Sequence, residues 1–198
     1  MSNIMDDTIG GYNGFIKEQK EQDGEANVTL VLFDDKYDLV SDGVSINEVE
    51  DLDSKICNAR GTTALYDAVG KTIATVGGRL SSMDEADRPE KVIFLITTDG
   101  YENASHEYDS KRVLEMVKEQ EEKYNWEFVF LGANIDSFAA GGNMGYQMKN
   151  VANFEANSRG VNTMYAAASM SFSNKRAGTD DMDMADYMNI ADKEVDKK

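Results

Sequence analysis

Three short, nearly continuous apolar runs constrain this chain more than any other feature: NVTLVLF at 27–33, KVIFLIT at 91–97 and WEFVFL at 126–131. Each is too short for a stable helix, rich in β-branched or aromatic residues, and free of apolar–polar alternation. That combination reads as a strand covered on both faces, the usual state of strands in a parallel sheet layered by helices. The segments between them have helical spacing instead. Leu65, Val69, Ile73 and Val76 share one face of a helix expected over 63–80, and Ser110 to Tyr124 is an amphipathic, charge-laced helix. Strands alternating with helices predict an α/β fold, a Rossmann-like three-layer arrangement with a mainly parallel central sheet.

The remaining elements follow from weaker signals. Asp6 and Asp7 precede Ile9, Tyr12, Phe15 and Ile16, which predicts a helix running to about Gln22 and stopping near Gly24. Tyr37 to Val40 is expected to return antiparallel to the first strand, with Asp34, Asp35 and Lys36 in a solvated turn. Residues 44–57 read as irregular, and 81–90 as an acidic loop holding the only proline, Pro89. A short helix at 135–140 precedes the glycine-rich 141–145. A short strand near Val151 then leads to a helix over 157–172, where Met164, Met170 and Ala166 to Ala168 read as packing residues. From Thr179 acidic residues outnumber basic ones and apolar periodicity fades. One domain over 1–178 with a disordered tail at 179–198 is therefore expected.

Charge narrows the partners. With 20 Lys+Arg against 37 Asp+Glu the formal net charge is −17, which argues against nucleic acid and anionic membrane and favours cations or basic surfaces. One cysteine, Cys57, excludes an internal disulfide and a cysteine-based zinc cluster. No run approaches the length of a membrane span, and the acidic start lacks a signal-peptide pattern, so a cytoplasmic placement is expected. Catalytic signatures are sparse. His106, the only histidine, lies in a polar stretch, G-x-S-x-G is missing, and the glycines at 132, 141, 142 and 145 do not form a dinucleotide-binding fingerprint.

Ligands of parallel α/β sheets gather at the carboxyl ends of strands, in the loops that open helices. Two loops there carry hard oxygen donors of the kind Mg2+ and Mn2+ prefer: Gly61, Thr62 and Thr63 before the second helix, and Thr97, Thr98, Asp99 and Gly100 after the second run. Each alone reads more simply, as a helix cap and as a turn.

In this order, separated by one helix, the two loops resemble the von Willebrand factor type A domain over roughly residues 1–175. The stretch VFLGANID at 129–136 also looks like a strand and turn of the bacterial and phage branch of that family. The resemblance implies binding rather than catalysis. A divalent cation, Mg2+ or Mn2+, would sit at a metal-ion-dependent adhesion site and be completed by an acidic side chain of a protein partner. It carries the metal-binding threonine onto Thr63 and the metal-binding aspartate onto Asp99, with Gly61, Thr62, Gly100 and Tyr101 shaping the rim.

One part of the pattern is missing. The family's D-x-S-x-S, which follows its first and central strand, occurs nowhere in the 198 residues. The opening MSNIMDDTIGGYNGF looks like the text that follows such a motif, with Met1 as the motif's own methionine. The expectation is an N-terminally truncated domain lacking the strand between those at 27–33 and 91–97, with weak or no metal binding. The missing strand would leave two strand edges open or force them to pair. A competing expectation uses Asp34, Asp35 and Asp99 as the acidic set of a phospho-receiver or a metal-dependent phosphoryl-transfer domain; a third is a structural remnant without a ligand.

Overall fold

The computed structural model describes residues 4–57 and 61–195; Met1 and the last three residues of the expected tail lie outside them. In chain order the elements are α1 (Met5–Lys20), β1 (Asn27–Phe33), β2 (Tyr37–Ser45), α2 (Leu65–Ser82), β3 (Ile93–Thr98), α3 (Ser110–Tyr124), β4 (Glu127–Ala133), α4 (Ser137–Asn143), β5 (Val151–Phe154), α5 (Ser158–Ala177) and α6 (Met184–Val195). The expected strands and helices are all present, with ends displaced by a few residues.

The sheet differs from expectation. Instead of one mainly parallel sheet there are two: β1 pairs with β2 antiparallel, and β3-β4-β5 form a parallel sheet in that order. Among the described residues no strand joins β1 to β3. The longer β2 also takes up residues expected to be irregular. Its bulges absorb extra residues opposite a regular β1: Val28 to Leu30 faces Val44 to Ser41, and Leu30 to Val31 faces Ser41 to Leu39.

β4 is the centre of the larger sheet, and its side chains alternate between two cores. Phe128 and Phe130 point into a cluster with Leu65, Val69, Ile73 and Val76 of α2 and Val113 and Val117 of α3. Val129, Leu131 and Ala133 point the other way, toward Val161, Met164, Ala167 and Ala168 of α5. All five of these β4 residues are 0% exposed. Each large side chain so buried contributes roughly 1.5–3 kcal/mol. Helices therefore cover both faces, α2 and α3 on one side, α1, α5 and α6 on the other.

Helix ends are set by local chemistry. Asp109 accepts from Arg112 N–H at 2.8 Å to start α3, and Asn157 accepts from Gly160 N–H at 2.8 Å to start α5. Asn125 and Gly178 close the same two helices in the left-handed region. The last turn of α5 carries Lys175, whose buried ammonium donates to Glu127 at 2.7 Å and Asp180 at 2.5 Å.

The tail is a second difference. Residues 184–195 form α6, which buries Met184, Tyr187 and Ala191 against α5 and β5. These three positions lie on one helical face, and their contact with the core outweighs the acidic surroundings that argued for disorder.

Candidate functional site

The carboxyl ends of β1 and β3 meet at the loop that opens α2. Asp34, just past β1, accepts from Ala64 N–H through its carbonyl at 2.6 Å. Beyond β3, Asn103 clamps Thr63 reciprocally: Thr63 N–H donates to Asn103 Oδ1 at 2.9 Å, and Asn103 N–H donates to the Thr63 carbonyl at 3.0 Å. Gly100 follows Asp99 at the point of closest approach. A Cβ there would stand 2.9 Å from Thr63 Oγ1, so a side chain would push the threonine away. The structure thus brings the Thr63 loop and the Asp99–Gly100 turn together.

The rim residues are less uniform. Gly61 is in the left-handed region at φ +86°, and Thr62 is exposed. Tyr101 is 60% exposed and reaches across to the loop after β4, where its hydroxyl accepts from Asp136 N–H at 3.3 Å. Asp136 in turn caps α4 through Ala139 N–H at 3.0 Å. Asp34 departs from the solvated turn expected of it: it is buried, and its Oδ1 accepts from Lys36 N–H at 2.7 Å, while Asp35 is exposed. His106 is exposed, as a surface histidine should be.

Two carboxylates that the sequence reading passed over hold this edge in shape. Glu102 Oε1 accepts from Ala104 and Ser105 N–H at 3.0 and 2.8 Å, and its Oε2 accepts from Tyr66 N–H at 3.0 Å in the first turn of α2. Asp67, itself in that first turn, accepts from His106, Glu107 and Tyr108 N–H at 3.0, 2.9 and 2.8 Å. Burial alone would raise the Asp67 carboxyl. The three backbone N–H groups, helped by Lys71, outweigh it and hold the pKa below the usual aspartate value. A legible signal existed for Asp67: a carboxylate among the buried positions Leu65, Ala68 and Val69 must be satisfied from within the protein.

By kind, the groups of the two residues expected to hold an ion suit Mg2+ or Mn2+: a threonine hydroxyl and an aspartate carboxylate are both hard oxygen donors. By number they fall short of the roughly six positions of an octahedral ion. Among the described residues no three His, Cys, Asp or Glu side chains stand close enough to hold a metal. Also among the described residues, no helix is long and apolar enough to cross a membrane. Compared with family models, with curated proteins and with solved structures, the chain matches none.

Proposed function

We propose that the chain is a protein-binding module of the von Willebrand A kind, not an enzyme, whose two sheets are halves of one mainly parallel sheet. Its binding edge is the junction of the Thr63 loop and the Asp99–Gly100 turn. There a divalent cation, held weakly by Thr63 and Asp99 and mostly hydrated, bridges to an acidic side chain of a protein partner. The single observation that supports this reading is the convergence of the two loops, with Thr63 Oγ1 only 2.9 Å from where a Gly100 side chain would begin. The strongly negative chain favours a cation as the bridge, because a partner's carboxylate would otherwise be repelled.

Mn2+ titration with residue-resolved NMR tests the reading, since the paramagnetic ion broadens signals near its site. Broadening should centre on residues 61–64 and 98–103, with dissociation in the millimolar range, because two protein ligands compensate poorly for dehydration. Asp99→Asn should abolish it. Broadening spread evenly over the acidic surface, or micromolar binding elsewhere, would contradict the assignment.

A further inference from the structure

α1 and α6 both pack along α5 and leave a groove of about 450 Å³ over it. Met170 of α5 lies in its floor. Glu18 and Glu21, from the end of α1, stand on one side, and Met182, Tyr187 and Ile190 on the other. The groove runs toward the last turn of α5, where Lys175 reaches Glu127 at the start of β4. It therefore lies toward the amino ends of the strands, away from the Thr63 and Asp99 loops.

Apolar surface is left open there. Met164, earlier in α5, is buried as its spacing predicts, but Met170 and Met182 are only half-buried and Ile190 is 38% exposed. The polar groups among them are already satisfied within the protein. Gln19 Nε2 donates to the Ser169 and Ser173 hydroxyls at 3.3 Å each. The Tyr187 hydroxyl accepts from Asn174 at 2.8 Å and donates to Asp180 at 2.6 Å. An occupant is therefore met by apolar surface, with adaptable thioethers, and by no unpaired donor or acceptor of these groups.

The charge around the groove has one sign. Among the described residues, Glu18 and Glu21 line it and no cation does. The nearby basic groups are mostly engaged: Lys20 donates to the Val49 carbonyl, Lys91 to the Lys175 carbonyl, and Lys175 to Glu127 and Asp180. Arg176 is spent on the carbonyls of Gln19, Asp23 and Gly24, and Arg159 pairs with Asp192. Lys17 and Lys193 remain exposed on the two walls. Against them stand exposed Glu18, Glu21, Asp186 beside Tyr187, and Asp181 and Asp183 on either side of Met182.

We infer that this groove binds an amphipathic helix of a partner protein, with apolar residues one turn apart over Met170, Met182 and Ile190 and lysine or arginine beside Glu18 and Glu21. A helix fits better than a strand, because α1, α5 and α6 surround the groove and offer no strand edge to pair with. A second copy fits worse than a basic partner, because it would bring another charge of −17 to an acidic surface. The inference is independent of the cation reading, because groove and cation share no residue.

The test is NMR of the methionine methyl groups of the intact chain, titrated with a synthetic helical peptide of lysine and leucine whose leucines form one stripe. The control peptide has the same composition with its leucines spread around the helix, so that bare charge attraction is common to both. The striped peptide should shift the Met170 and Met182 methyls and leave Met83, at the end of α2 on the opposite face, unmoved. Ile190→Ser should weaken its binding by about tenfold while melting within a few degrees of the parent, since the residue is already part exposed. Glu18→Gln with Glu21→Gln should weaken it severalfold and flatten its salt dependence. Equal shifts with the control, or binding unchanged by Ile190→Ser, would overturn the inference. So would a dimer that Ile190→Ser dissolves, which would give the groove to a second copy, or equal shifts with decylammonium, which would give it to a small lipophilic cation.

Discussion

β4 and β3 are neighbours with nearly interchangeable sequences, FVFL and IFLI, yet one is sealed and the other half open. β4 has strands on both edges and helices on both faces, and its central residues are 0% exposed. β3 has the same helices on its faces but, among the described residues, only one paired edge, and so does β1. Apolar composition therefore does not decide burial here; the number of paired edges does. A second strand on an edge both satisfies the peptide groups and screens the side chains beside them. What order the open side has comes from elsewhere: carboxylates of Glu102 and Asp67 and the Asn103 clamp hold its loops through backbone N–H groups.

Paired substitutions sharpen that contrast. Phe130→Ala in β4 should cost about 3–5 kcal/mol in urea denaturation, as expected for a fully buried aromatic, and Phe94→Ala in β3 should cost about half as much. Equal losses would break the comparison, since they would make the β3 edge as well packed as the sheet centre.

Asp67→Asn probes the open side's substitute for sheet pairing and should cost about 2 kcal/mol, because the carboxylate's backbone donors lose their charged acceptor. Its pH dependence has a definite sign. A depressed folded-state pKa contributes stability that is complete above the unfolded value, about 3.9, and is lost as pH falls through the lower folded value. Thermal melts of parent and variant should therefore differ most above about pH 4 and converge in stronger acid. The smallest effect belongs to the edge itself. Val31→Pro should change stability by less than about 1 kcal/mol without a strand partner, whereas proline at Leu131, between two paired strands, should prevent folding.

Much of this was legible in the sequence for a simple reason. The runs at 27–33, 91–97 and 126–131 are strands because their composition and length permit little else, and the helix faces follow from Leu65, Val69, Ile73 and Val76. The division into two sheets was not legible in any local pattern. A continuous apolar run reads the same whether one edge or both will be paired, and KVIFLIT looks at least as buried as WEFVFL. Only the resemblance, with its missing central strand, raised open edges as one of two arrangements. α6 was hidden differently: Met184, Tyr187 and Ala191 have helical spacing, but the surrounding aspartates dominated the reading. At the candidate site, Thr63 and Asp99 came from motif order, while Asp67 and Glu102 act through backbone groups whose positions only the folded loop reveals.

The most direct measurement is residue-resolved amide exchange of the chain alone. Val31 and Leu95, whose N–H groups point away from β2 and β4, are expected to exchange on the timescale of exposed loops, while Phe130 and Leu131 in β4 are protected to nearly the full unfolding free energy. Equal protection of Leu95 and Leu131 would contradict this, because β3 would then have a partner on its second edge and the sheet would not be divided.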